Sequence, residues 1–377
     1  MNGPHYLAAR KIAPRLAEHF ARHAAAGARG SAEGTPPPDA GAIEALIDAA
    51  FWASLQREEG APPEISLAFL PPAKAARPLM LAAPLPLGAR ALARLAPAVE
   101  RPGIHLGVWR ERGELVVWGT TRSVPSSCFV LEVLAPGLMV VKHRTREDSA
   151  KFQNVAVFEG EQVKILSPES VDAADHPAVL RSLIAPEPPG SPDDPVDVLL
   201  RLAVSMRAHK RGGTLLVVPS GTEAWRESIV RPIEYAVAPP FTELGDFVRH
   251  AGEGGPPPTP GALGRAVDAL AGLTAVDGAT VITDRYELLA FGVKIGRPDG
   301  RLRVERALRT EPIEGGAARV VAPMELGGTR HISAAQFAQD QQDAVALVAS
   351  QDGPFTIFAW SERDGILHAH RVVTLLL

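Results

Sequence analysis

Apolar residues recur with a helical period near the start of the chain. Tyr6, Leu7, Ile12, Leu16 and Phe20 approximate that spacing, and Ile43, Leu46, Ile47, Ala50, Phe51 and Leu55 follow it more regularly. Both stretches predict amphipathic helices packed on another element. Between about 104 and 166 the period shortens. The runs IHLGVWR, GELVVWG, CFVLEVLA, GLMVVKHR, NVAVFEG and QVKIL are β-branched or aromatic, with Gly, Pro, Asn or charged turns between them. They predict a mostly antiparallel β region. From about 190 the two periods alternate. A helix is predicted over Val196–His209, with Asp193 or Asp194 as N-cap ahead of Pro195. The apolar run Gly213–Pro219 reads as a strand buried on both faces. A helix over Leu263–Leu273, strands over Ala279–Thr283 and Glu287–Val293, and a helix beginning within Ala334–Gln341 come next. Strands over Ala344–Ser350, Phe355–Trp360 and His368–Leu377 close the chain. Helices alternating with apolar strands predict an α/β (α+β) fold with a mixed sheet, preceded by a helical and antiparallel-β N-terminal region.

Composition sharpens this division. The 35 prolines and 34 glycines make up about 18% of the 377 residues, against roughly 12% in average proteins. Much of the excess falls in Gly27–Pro38, Ala185–Pro195 and Gly252–Pro260, which read as loops or linkers. The expected organisation is a helical segment over 1–60, a mostly β subdomain over 61–185 and an α/β domain over 190–377. Hydrophobic residues at 46% and charged residues at 22% fit a globular chain. A net charge of −4 gives no bulk basic surface for DNA. The apolar stretch Leu79–Leu87 is interrupted by prolines and is shorter than the roughly 20 residues that span a bilayer. No membrane partner is therefore expected. Cys128 is the single cysteine, which rules out an internal disulfide framework and fits a cytoplasmic location and a small buried hydrophobe.

Several side chains carry potential chemistry. His19 and His23 lie four apart on the first helix, a spacing that can present two imidazoles to a metal, but no third ligand is adjacent in sequence and the Ala and Arg neighbours read as a solvated face. Lys142, His143, Arg144 and Arg146 form a basic cluster, either a phosphate contact or a solvated hairpin end. Asp277-Gly278-Ala279 stands immediately before an apolar strand, where a carboxylate beside an unobstructed glycine lets a ligand approach the backbone, or simply makes a turn. Gly327-Gly328-Thr329-Arg330-His331 precedes a helix, whose N-terminus favours an anion that Arg330 can grip. A glycine-rich loop with a capping Thr329 is the plainer reading. Ser350-Gln351-Asp352 ends another apolar strand, where a carboxylate binds metal or ribose, or starts a turn. No GxSxG string supports a serine hydrolase.

In this order, the strings Asp277-Gly278-Ala279, Gly328-Thr329-Arg330-His331-Ile332 and Ser350-Gln351-Asp352 resemble the motifs of the diadenylate cyclase family, the nucleotide-binding N-terminal domain of the DNA-integrity scanning protein DisA. Lys210–Val218 is similar to that family's helix–glycine–strand entry. The resemblance covers roughly 190–377. The N-terminal half more loosely resembles the extra region of divergent relatives proposed as sensor domains in bacterial nucleotide signalling. The resemblance implies a nucleotide-binding domain for ATP or another adenine nucleotide, a homodimer or higher oligomer meeting face to face, and Mg²⁺ or Mn²⁺ if the site is catalytic. It also implies catalytic and metal roles for Asp277 and Asp352. Gly278, Ala279, Gly328, Thr329, Arg330, His331 and Ser350 would then bind nucleotide, with Thr329, Arg330 and His331 on the phosphates.

The departures from the family pattern bear on turnover. Ile332 stands where a second arginine is usual, and an acidic pair has become Gln351-Asp352. A polar insert, Arg297–Gly316, separates the first two motifs and is placed either to cover the site or to block a face-to-face dimer. Binding survives such changes more readily than catalysis, which needs transition-state contacts and dimer register together. The expectation is an adenine-nucleotide-binding sensor or regulator. The alternative is an active cyclase that condenses two ATP to cyclic di-AMP and two pyrophosphates.

Overall fold

The computed structural model describes residues 5–27, 36–57, 60–101, 103–144, 152–167, 195–252, 261–298, 300–351, 355–372 and 374. Helices and two sheets, each mixing parallel and antiparallel pairs, make an α+β fold. The chain divides into two compact units, one ending at Leu166 and the other beginning at Ser167. The predicted N-caps Asp193 and Asp194 lie outside the described residues.

In the first unit, helices α1 (Leu7–Gly27), α2 (Ala40–Ser54) and α3 (Ala89–Leu95) accompany eight strands. These are β1 (Ile65–Phe69), β2 (Leu79–Pro86), β3 (His105–Glu111), β4 (Glu114–Thr121), β5 (Val130–Ala135), β6 (Leu138–Arg144), β7 (Phe152–Glu159) and β8 (Gln162–Ile165). Their order across the sheet is β2-β4-β3-β1-β5-β6-β7-β8. Only β1 and β3 run parallel, and the chain returns between them through β2 and α3. Leu16, Phe20, Ile43, Leu46 and Ile47 pack with Leu67, Leu131, Met139 and Val141 in one core, so the predicted helices cover one face of this sheet. Asp39 caps α2 by accepting from the Ala42 N–H at 2.7 Å. It also pairs with Arg110 at 3.0 Å. On the opposite face, Trp118 is fully buried and donates its indole N–H to the Leu70 carbonyl at 2.9 Å.

The second unit builds a nine-stranded sheet. Its strands are β9 (Gly213–Val218), β10 (Tyr235–Phe241), β11 (Ala279–Thr283), β12 (Leu288–Val293), β13 (Ala307–Thr310), β14 (Arg319–Val321), β15 (Val345–Ala349), β16 (Phe355–Ser361) and β17 (Ile366–Arg371). Their order is β10-β12-β11-β9-β15-β16-β17-β13-β14. The apolar run predicted to be buried on both faces is β9, and its alternation divides the core. Leu215 joins Leu347, Phe355 and Ile357 beneath α4 (Pro195–Ala208), α5 (Glu243–Gly252) and α6 (Ala262–Leu273). Leu216 and Val218 join Ala346, Val348 and Phe358 beneath α7 (Thr329–Asp340). Three layers result, with the sheet in the middle.

Strands β2 and β10 have no counterpart in the periodicity reading. Both sit at sheet edges and contain prolines, which central strands reject. In β10 the prolines are Pro239 and Pro240, with Tyr235 and Phe241 exposed beside them. The polar insert also departs from expectation. Its Ala307–Thr310 segment is laid into the sheet as β13, parallel to β17. Four strand spacings, roughly 19 Å, separate it from β9.

Gly107 and Gly119 face each other across β3 and β4. A Cβ on Gly107 would lie 2.0 Å from the Trp118 ring. Gly107→Ala should therefore destabilise the first unit by about 1–3 kcal/mol, the usual cost of overpacking. Urea unfolding followed by tryptophan fluorescence would measure it.

Candidate functional site

Strand directions gather the predicted residues at one end of the second sheet. Strands β9 and β11 are parallel, so Gly212 and Asp277 precede their strands at the same end. Strand β15 runs antiparallel to β9 and pairs Ala349 with Gly213, which brings Ser350 and Gln351 to that end. Strand β12 pairs Val293 with Ala279 and delivers Lys294. Helix α7 begins there as well. The Arg330 guanidinium lies 3.1 Å from where a Gly212 Cβ would stand, beside the Ala349 carbonyl and Gln351. Gln351 donates to the Arg211 carbonyl at 3.0 Å.

Asp277 is 90% exposed and accepts from Lys294 Nζ at 2.5 Å. The Lys294 hydrogen bond, then its charge, hold the Asp277 carboxyl below the usual carboxylate range, and the charge of Arg330 adds to this. An ion pair this exposed contributes about 0–1 kcal/mol, so an incoming anion displaces it at little cost. Next to it, an exposed Tyr235 ring stacks on Phe291, centroids 5.0 Å apart and nearly parallel. The Tyr235 ring comes within 2.8 Å of where a Gly292 Cβ would lie. Lys294 and Tyr235 carry no motif in the sequence, and only the β10–β12–β11 pairing reveals them.

The two motif glycines have opposite roles. Gly278 has φ +121°, and a Cβ there would lie 2.5 Å from the Gly292 backbone carbon. The room it leaves is filled by the chain's own β12 backbone, not held open for a ligand. Ala279 is likewise buried in the core. Gly328, the N-cap of α7, meets nothing within 4 Å and provides no side-chain cap. Thr329 is exposed and Ser350 is partly buried. His331 departs from the phosphate role that the resemblance implies. Its ring is buried under Gly327 and stands edge-on to Phe358 at 6.2 Å. Burial first, then Arg371, lowers its pKa. Asp352 lies outside the described residues. Among the described residues, no group of three His, Cys, Asp or Glu side chains includes Asp277, whose carboxylate is paired to Lys294.

The first unit contains a second polar locus, on the sheet face away from the helices. Ser66 and Glu132 are cross-strand partners on β1 and β5, and His105 of β3 lies alongside. Ser66 Oγ is 2.7 Å from His105 Nδ1 and 3.4 Å from Glu132 Oε1, and Glu132 pairs with Lys142 at 2.5 Å. Lys142 also sits over the Phe152 ring at 4.8 Å. These groups line a cavity of about 510 Å³. Glu132 reaches the serine and not the far ring nitrogen of His105, so the nucleophile-activating relay is missing. What remains is a cavity with hydroxyl, carboxylate and ammonium groups, suited to holding a small polar ligand.

Comparison with known proteins bears on the first unit. Residues 32–122 match the family described as "Probable sensor domain DACNV", which assigns a probable sensor domain to this part of the chain. Ser66 and His105 lie within the match. No curated protein matches the chain. Among solved structures, the chain is similar to the crystal structure of a hypothetical membrane spanning protein from Bacillus cereus. Identity is 17% and the TM-score 0.25, over 46% of this chain and 61% of that one. The chain thus spans less than two thirds of that structure. The cytoplasmic expectation is corrected at this point. A lone buried Cys128 does not fix a compartment. Among the described residues, no helix is long and apolar enough to cross a membrane, which says nothing of β-barrels.

Two measurements check these assignments. Gly278→Ala should lower the melting temperature, because its Cβ collides with backbone at a positive φ, whereas Gly328→Ala should lower it much less, by the small preference of an N-cap for glycine over alanine. Burial also pushes His105 down to about 4 from 6.5. The unfolded chain then binds a proton that the folded one refuses between these values, so stability is retained above about pH 6.5 and falls toward pH 4. His105→Gln should flatten that fall in thermal melts across the same pH range.

Proposed function

We propose that this protein is a sensor whose second unit binds an anionic adenine nucleotide at the sheet end built by β9, β11, β12 and α7. The observation that carries the reading is the exposed Lys294–Asp277 pair beside Arg330, next to an α7 N-terminus with no side-chain cap. Lys294 and Arg330 supply the charge for phosphates, and the first turn of α7 supplies N–H groups and a favourable dipole. The exposed Tyr235 face offers a platform on which a base can stack. Resemblance to the diadenylate cyclases supports adenine as that base. The sensor-domain match in the first unit supports a signalling role.

Binding without turnover is favoured by three features of the site. His331 faces the core, Ile332 replaces a cation, and Asp277 is engaged by Lys294. Calorimetry with ATP, with and without Mg²⁺, tests the reading. Arg330→Ala should weaken binding by roughly 10–100-fold, the effect of losing one charge-assisted hydrogen bond. Tyr235→Ala should weaken it by roughly 5–100-fold through lost stacking. No binding by the wild type, or unchanged affinity in both variants, would refute the proposal. Accumulation of cyclic di-AMP from ATP would convert the reading to the cyclase.

A further inference from the structure

The first unit holds a side-chain cluster that neither the sensor match nor the nucleotide site uses. His19 and His23 of α1 project from one helical face, as their spacing requires. Strand β6 brings His143 to meet them. One ligand atom from each of the three rings lies within 4.8 Å of the other two. The ring centroids are 4.5 Å apart for His19 and His23, 4.7 Å for His23 and His143, and 5.6 Å for His19 and His143. The third ligand that sequence adjacency could not supply therefore comes from 120 residues further on, across the helix–sheet contact.

The protonation pattern is fixed at His143. Its Nδ1 lies 3.0 Å from the Arg144 carbonyl, which only accepts, so Nδ1 carries the hydrogen and donates. The other nitrogen, Nε2, is left with its lone pair. The residue is 2% exposed and this Nε2 is buried with no hydrogen-bond partner. His19 Nε2 is buried and unpartnered in the same way. Leaving such a buried group unsatisfied is destabilising. Packing alone accounts for the ring contacts with Phe20, at 5.5 Å from His19 and 5.9 Å from His143. It does not account for two orphaned nitrogens in a cluster of three imidazoles. A carbonyl that orients a histidine through its other nitrogen is also the usual outer-shell partner of a metal-ligating imidazole.

We propose that His19, His23 and His143 form a binding site for a divalent transition-metal ion, with zinc the ion whose chemistry fits best. Three neutral nitrogens without a carboxylate select zinc and its first-row neighbours over magnesium or calcium. Three protein ligands leave the fourth tetrahedral position to water or an outside ligand. Tetrahedral zinc with bonds of 2.0–2.1 Å needs nitrogens about 3.3 Å apart. Rotation of His19 and His23 about their side-chain bonds supplies that closure, with His143 held by Arg144. Occupied, the site ties α1 to β6.

Co²⁺ and Zn²⁺ titrations of the full chain, first stripped with a chelator and then freed of it, test the site. Wild-type protein should take up one Co²⁺ with the visible absorption of a tetrahedral centre, and Zn²⁺ should bleach it. His23→Gln and His143→Gln should each abolish that absorption and weaken zinc binding by more than about 100-fold, beyond what loss of an outer-shell partner costs. His23 is only partly buried, so H23Q serves if H143Q does not fold. Zinc should raise the melting temperature of the wild type and leave that of H23Q unmoved. A wild type without the Co²⁺ absorption, or an H23Q variant that binds zinc like the wild type, overturns the proposal.

Discussion

Burial of β9 on both faces is the constraint from which the second unit follows. A strand reading Gly-Thr-Leu-Leu-Val-Val has no polar side to offer water, so helices must cover it above and below. Helix α7 supplies one of those covers. Because its apolar residues must lie over β9, β15 and β16, its first turn falls at the end of the sheet where Gly212, Asp277 and Ser350 already stand. The polar groups are thus brought together by the packing of apolar ones. The same demand explains His331. Its place in the first turn of α7 faces the sheet, so a residue that reads as a phosphate ligand becomes part of the cover.

In the second unit the sequence makes the central strands legible and the edge strand β10 obscure, for a physical reason, whereas in the first unit the central β1 goes unread as well. β9, β11 and β15 are apolar through their length because both faces are covered, and α2 and α6 carry a clean helical stripe. Edge strands meet weaker demands, so β2 and β10 retain prolines and exposed apolar side chains that mimic loops. Within the candidate site, Asp277 and Arg330 are visible as motif members. Lys294 and Tyr235 are not, since what places them is register between neighbouring strands. The glycines show the same limit. A sequence records that Gly278 and Gly328 lack a side chain, while only the backbone shows which gap is filled by the protein itself.

The two polar loci differ in electrical character. At the sheet end of the second unit, the charges are exposed and paired weakly enough to exchange partners. On the helix-free face of the first sheet, Glu132 and Lys142 are largely withdrawn from water, and their pairing is tighter in consequence. A ligand entering that cavity has to match an existing arrangement of hydroxyl, carboxylate and ammonium. The first locus suits a highly charged ligand of variable shape, and the second a small one of fixed shape.

The prolines of β10 have an effect beyond that strand. An outer strand presents a row of unused amide hydrogens, along which another polypeptide can zip into the sheet and start aggregation. Pro239 and Pro240 carry no amide hydrogen, so β10 offers fewer donors than an added strand would need. A nine-stranded sheet with so apolar a middle is a hazard while it is being made. The prolines that hide β10 from a periodicity reading also help to keep the finished sheet from growing.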